Sequence, residues 1–388
     1  MSTGLNMEYQ EVKFDDICRE VKLTTKDPIA DGYDKYIGLE HLDSGSLKIK
    51  RWGLIAEDNP SFTRVFKKGH ILFGKRRCYL KKAAIAEFDG ICSGDILVFE
   101  AKKTLNEPKL LPFIIHSQKF WQWAIDNSSG SLSPRTKFSA LKDFSVKLPT
   151  GSTLKELSLL LENLERLETK SEVALHSTKQ YLQRMVDYYT INDRLDFIDR
   201  DCKKSLRLKE IVTVNSNQLS QSTDPNFKFN YIEISDVSFP GKVTIKEKIQ
   251  FSEASSRARR ILKKNNIVIS TVRPNHRATF YVDAHLENSI CSTGFCVLSA
   301  KEEYLAKYIF YFTLSKQFSY SLSNLATGTS FPAVNESDVL SQKIVLYPES
   351  KTKKIIKILD KQYEIMRMNE SNLKKILDIK KSIIERFL

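Results

Sequence analysis

Ser129-Gly-Ser-Leu-Ser-Pro134, followed by Val146-Lys-Leu-Pro149, returns in the second half of the chain as Thr327-Gly-Thr-Ser-Phe-Pro332 followed by Val345-Leu-Tyr-Pro348. Read together, these stretches say that the chain is built twice. Working outward from them, the likeness keeps its order. Phe14-Asp-Asp-Ile17 matches Leu208-Lys-Glu-Ile211, and Tyr36-Ile-Gly-Leu-Glu40 matches Tyr231-Ile-Glu-Ile-Ser235. Lys67-Lys-Gly-His-Ile-Leu-Phe73 matches Lys263-Lys-Asn-Asn-Ile-Val-Ile269, Arg77 falls on Arg273, and Ile91-Cys-Ser-Gly94 matches Ile290-Cys-Ser-Thr-Gly294. An ordered series of matches at nearly constant offset is the signature of an internal repeat.

Both copies have the same two-part texture. The first part is a series of short β-favouring runs such as Ile71-Leu-Phe, Ile96-Leu-Val-Phe and Ile267-Val-Ile-Ser, separated by turn residues. It includes one aromatic-rich helical segment, near 112–126 in the first copy and 304–322 in the second. The second part, 152–189 and 350–388, has neither proline nor glycine. Apolar residues recur there at three- and four-residue steps, the pattern of a coiled-coil seam. The expected pairing residues are Leu157, Leu161, Leu164 and Leu182 on one helix, with Leu359, Met366, Leu373, Ile376 and Ile383 on the other. Ser152 is the expected N-cap of the first helix, and about 36 residues would make a rod of roughly 50 Å.

The fold class expected is therefore α+β: two tandem, mostly-β domains, each followed by a long helix, with the two helices pairing as an antiparallel coiled coil. The divisions are placed at 1–150, 151–192, 193–349 and 350–388.

The 388 residues carry 61 Lys and Arg against 47 Asp and Glu, a formal net charge of +14. A surplus of this sign draws polyanions, of which nucleic acid is the commonest in a cytoplasm. The basic residues gather at corresponding places. Lys75, Arg76, Arg77 and Arg135 lie in the first copy, and Arg257, Arg259, Arg260, Arg273, Asn275, His276 and Arg277 in the second. Such side chains supply phosphate contacts for affinity and base-edge contacts for sequence choice. A module duplicated on a stiff spacer suits a split target, and two diverged copies suit an asymmetric one.

At this point the sequence resembles the specificity (S) subunit of type I restriction–modification systems. The resemblance rests on Ser129-Gly-Ser-Leu-Ser-Pro134, Phe144-Ser-Val-Lys-Leu-Pro149 and a long helix. These are repeated as Thr327-Gly-Thr-Ser-Phe-Pro332, Lys343-Ile-Val-Leu-Tyr-Pro348 and a second long helix. It implies that each recognition domain reads one half of a split site in double-stranded DNA. It also implies helices that set the gap and dock two methyltransferase (M) subunits, with restriction/translocase (R) subunits joining that core. Relatives often continue the strand-ending proline as Pro-x-x-Glu-Gln. Here Pro149 leads to Thr-Gly-Ser-Thr and Pro348 to Glu-Ser-Lys-Thr.

No catalytic machinery of its own is expected. The Asn/Asp-Pro-Pro-aromatic element of adenine methyltransferases does not occur, and Gly241-Lys242 lies in no phosphate-binding loop. The six histidines and six cysteines do not fall at metal-ligand spacing, so no metal site is assigned. S-adenosylmethionine, ATP and magnesium are expected on partner subunits. With no apolar run long enough for a bilayer and no secretory signal, a cytoplasmic location without membrane contact is expected.

Overall fold

A computed structural model describes residues 8–191 and 204–388. The expected domain boundary at 192/193 and Cys202 lie outside the described residues. The chain divides into two compact units, Met1–Glu172 with Ser371–Leu388, and Val173–Glu370. The division runs through both long helices, so each unit contains a recognition domain and part of each helix.

In the first unit an antiparallel sheet has the order Cys18–Glu20, Ile96–Ala101, Ile71–Gly74, Ala83–Ile85. A second sheet has the order Gly53–Leu54, Lys35–Ile37, Gly90–Cys92, Arg64–Phe66, with one parallel pair at its centre. Tyr9–Lys13 pairs with Ser145–Pro149, bringing the two ends of the domain together. The second unit repeats the main sheet and the parallel pair, with three strands rather than four in its other sheet. Val212–Val214, Phe295–Ala300, Ile267–Ser270 and Thr279–Tyr281 form its main sheet. Tyr231–Ile232, Ile290–Ser292 and Ala258–Ile261 form the other, and Lys204–Arg207 closes on Lys343–Leu346.

The correspondence extends to register. In the parallel pair Tyr36 faces Ile91 and Ile37 faces Cys92, while Tyr231 faces Ile290 and Ile232 faces Cys291. A one-residue slip would turn every side chain to the opposite face, so equal register means equal core logic. Cys92 and Cys291 are fully buried, as small apolar side chains in a strand.

The aromatic-rich segment of each copy is two helices broken at a serine. Leu111–Ile115 meets Gln118–Asp126 at Ser117, and Glu303–Thr313 meets Lys316–Leu325 at Ser315. Each serine hydroxyl accepts from the amide three residues on, Phe120 N and Phe318 N, both at 3.2 Å. That is an N-cap, and it starts the second helix in a new direction. These helices carry the cores. Phe73 stacks on Trp121 at 5.0 Å, with Phe14, Phe99 and Phe120 around them in the first unit. In the second, the buried Tyr308 donates to the Val345 carbonyl at 2.9 Å and Tyr311 to Asp360 at 2.6 Å.

The long helices are Gly151–Ile191, 41 residues, and Glu349–Phe387, 39 residues. The first begins at Gly151, whose φ of 61° is left-handed, so Ser152 lies inside the first turn rather than at the cap. Within the first unit the segments run antiparallel: Leu154, Leu157 and Leu161 share a core with Ile384 and Leu388, and Glu165 meets Lys380. Within the second, Leu182 and Val186 share a core with Ile355, Leu359 and Met366, and Thr178 meets Asn369.

Leu157, Leu161, Leu164, Leu182, Leu359 and Met366 are all buried. Leu373, Ile376 and Ile383 are half-buried, and the deepest positions of that last segment are Ile384 and Leu388. The stripe moves one place because a 3.6-residue helix drifts against a strict seven-residue repeat.

Candidate nucleic-acid interface

The strand Ile71–Gly74 leads to Lys75, Arg76 and Arg77, and Ile267–Ser270 leads to Thr271, Val272 and Arg273. In both units the chain then makes a single tight turn, Cys78–Leu80 or Pro274–His276. Left-handed residues bracket each turn: Arg77 and Lys81 at φ 55° and 49°, Arg273 and Arg277 at φ 49° and 54°. The first turn residue is the anchor, Cys78 or Pro274, and is buried. The next two face solvent, Tyr79 and Leu80 in one unit, Asn275 and His276 in the other.

The Gly-x-x-x-Pro loops hold these turns in place. Arg77 N donates to the Pro134 carbonyl and Arg273 N to the Pro332 carbonyl, both at 2.7 Å. Thr136 N donates to the Lys75 carbonyl at 3.0 Å, matched by Val334 N to the Thr271 carbonyl at 2.9 Å. Each loop reverses at a glycine with strongly positive φ, Gly130 at 113° and Gly328 at 97°, where a Cβ would be strained. The two loops read from sequence as repeat markers are therefore the braces of the basic turns. Their tips expose Leu132 and Phe331 at 89% and 67%.

The basic residues singled out from sequence separate into two groups. Arg76 and Arg135 converge on Asp95 in the first unit: Arg135 Nε donates to Asp95 Oδ1 at 2.8 Å, and Arg76 reaches Asp95 Oδ2 at 3.4 Å. The Arg135 hydrogen bond holds the Asp95 carboxyl below its ordinary pKa. Arg260, with its side chain 11% exposed, pairs with Glu336 at 2.8 Å. Arg277 lies 3.8 Å from the Phe239 ring centre and donates to Gln183 and to the Leu314 carbonyl. Burial pushes its pKa below the usual guanidinium value. These four bind their own fold.

The others leave side-chain donors unused within the fold. Lys75, Arg77, Arg257, Asn275 and His276 have no side-chain hydrogen bond or ion pair among the described residues, and all but the half-buried Lys75 are exposed. Arg259 lies over the Phe251 ring and donates to its neighbour's carbonyl at 2.9 Å. Arg273 stacks 4.6 Å from the Phe331 ring centre and donates once, to the Ser330 carbonyl at 3.2 Å. Residue type alone does not rank these arginines. Only partners distant in sequence, such as Asp95, Gln183 and Glu336, divide the spent cations from the available ones.

Elsewhere in the second unit a cavity of about 580 Å³ is lined by Tyr281, Tyr311, Asp360 and Tyr363 among others. Within it Lys307 pairs with Asp360 at 2.9 Å beside the Tyr311 bond. Among the described residues no group of three or more His, Cys, Asp or Glu could hold a metal ion, and no helix is long and apolar enough to cross a membrane.

Comparison with known proteins adds to this geometry. Residues 201–378 match the family model of the type I restriction modification DNA specificity domain. The Escherichia coli type I restriction enzyme EcoDI specificity subunit is 26% identical over 154 residues, 39% of this chain and 34% of that protein. The chain thus spans about a third of the length of the curated relative it matches. Two solved structures share the fold along nearly the whole chain. The S subunit of a type I restriction–modification system from M. genitalium superposes with a TM-score of 0.57 at 13% identity, covering 100% of this chain and 98% of that one. A chain from a type I R-M system studied for complex assembly and conformational transition gives 0.54 at 17% identity, covering 97% of each. The chain therefore carries the type I restriction modification DNA specificity domain over residues 201–378 and, along its length, the fold of a type I specificity subunit.

Proposed function

We propose that this chain is the sequence-reading subunit of a type I restriction–modification complex, each unit contacting one half of a split, asymmetric site in double-stranded DNA. The observation that carries this reading is the repeated basic turn, presented on the same braced backbone in both units with different side chains at its solvent-facing positions. Equal scaffolds with unequal tips suit half-sites of different sequence. The long helices act as spacers and as the platform for two methyltransferase subunits, with restriction/translocase subunits joining them. The domain limits 1–150, 151–192, 193–349 and 350–388 belong to the same reading.

Chemistry falls to the partners, which would hold S-adenosylmethionine, ATP and magnesium. This chain contributes placement: available cations on phosphates for affinity, and polar or apolar tips on base edges for choice. A cytoplasmic complex accords with that role.

Methylome sequencing of cells that carry this chain and its methyltransferase tests the reading. The expected product is a bipartite, asymmetric methylated motif. Exchange of residues 1–150 for another recognition domain should alter one half and leave the other. A continuous motif, or alteration of both halves by that exchange, would overturn it. Methyl transfer or cleavage by the isolated chain would overturn the division of labour.

A further inference from the structure

Arg77 and Arg273 occupy one backbone position in two units whose sequences agree only at scattered anchors. Both are left-handed, a conformation that glycine and asparagine adopt cheaply and residues with longer side chains rarely do. Both are held there by a 2.7 Å hydrogen bond from their backbone N–H to the proline carbonyl of the facing loop. A costly conformation kept in both copies, with arginine both times, points to work done by the side chain.

Both guanidinium groups retain unused N–H donors, although Arg273 also lies over the Phe331 ring. Arg77 has no side-chain partner among the described residues, and Arg273 uses a single N–H on the Ser330 carbonyl. An arginine fork has five N–H donors, so both retain a charged face for an anion. The neighbouring positions are not shared: Cys78-Tyr79-Leu80 stands in one unit where Pro274-Asn275-His276 stands in the other.

Two readers of different half-sites share no base sequence, but they share the phosphate backbone. A residue common to both readers, in one geometry, fits the common part of the target. We propose that Arg77 and Arg273 are equivalent phosphate-contacting residues, one per half-site, which supply salt-dependent affinity without choosing bases. This rests on the DNA-reading function proposed above, and makes the flanking tip residues the separate matter of base choice.

The test uses the full chain assembled with its methyltransferase subunits, and the variants Arg77→Asn and Arg273→Asn. Asparagine tolerates the left-handed turn and removes only the cation. Binding is measured across a salt series to a duplex with the methylated motif and to one without it. Each variant is expected to weaken both duplexes by the same factor, roughly three- to tenfold, and to reduce the log–log salt slope by about 0.9. The methylated motif should be unchanged, and Arg77→Lys should restore the slope. Relaxation of the motif at one position would make the arginine a base reader and overturn the proposal. Unchanged affinity and slope would also overturn it, leaving the arginine as a turn residue. A wild-type complex that prefers no duplex would instead overturn the function on which the proposal rests.

Discussion

Lys380, near the end of the second long helix, donates from Nζ to Glu165 Oε2 on the first at 2.5 Å. Glu168 takes a second hydrogen bond from the same ammonium at 2.6 Å, and the three side chains are only 10%, 19% and 14% exposed. Burial alone would lower the lysine pKa, but the two carboxylates outweigh it and hold the value above the ordinary one. Lys380→Met would leave two carboxylates buried without a cation, at a loss of about 3 kcal/mol in urea unfolding. Adding Glu165→Leu and Glu168→Leu should recover most of that loss. An unchanged midpoint in the single variant would mean that water, not Lys380, satisfies the pair.

His116 makes an acid-side prediction. Its Nε2 lies 2.8 Å from the Ala83 carbonyl, so the neutral ring donates there, and burial pushes its pKa down from 6.5 to about 4. A group depressed on folding contributes stability above its unfolded value and loses it as pH falls. The loss should therefore run from about pH 6.5 towards 4. Because the residue is half-buried, about 1–2 kcal/mol is expected rather than the full shift. His116→Gln keeps a donor but does not titrate, so the wild-type minus variant difference should shift by that amount across the window. A difference that stays constant with pH would remove His116 as the cause.

Arg277 separates a bracing arginine from a contacting one. Its guanidinium bonds to Gln183 at 2.6 Å and to the Leu314 carbonyl, fastening the turn Pro274–His276 to the body of the second unit. Arg277→Ala should cost about 2–3 kcal/mol in chemical denaturation by orphaning those acceptors. Asn275→Ala and His276→Ala, at exposed positions, should stay within about 0.5 kcal/mol. Equal small effects from all three would mean that Arg277 is surface charge after all.

The proposed spacer role can be probed by length. Four residues inserted after Val173 would add about 6 Å of helix. The expected methylome retains both half-motifs and widens the gap between them. Retention of the original gap would show that the helices do not set the spacing.

The sequence by itself determined the duplication, the order of strands and turns, and the two amphipathic helices. All of these follow from local rules: hydrophobic period, turn chemistry, and a repeat that matches itself. It also marked the Gly-x-x-x-Pro loops, though only as signposts. Tertiary structure decided what those loops do, since a hydrogen bond from Arg77 to Pro134 joins positions that no local pattern connects. It likewise decided that Arg76, Arg135, Arg260 and Arg277 are spent on their own fold while Arg77 and Arg273 keep N–H donors unused within it. The physical reason is that a cation's availability depends on which carboxylate, carbonyl or ring the chain brings beside it, and that neighbour is supplied by folding, not by sequence distance.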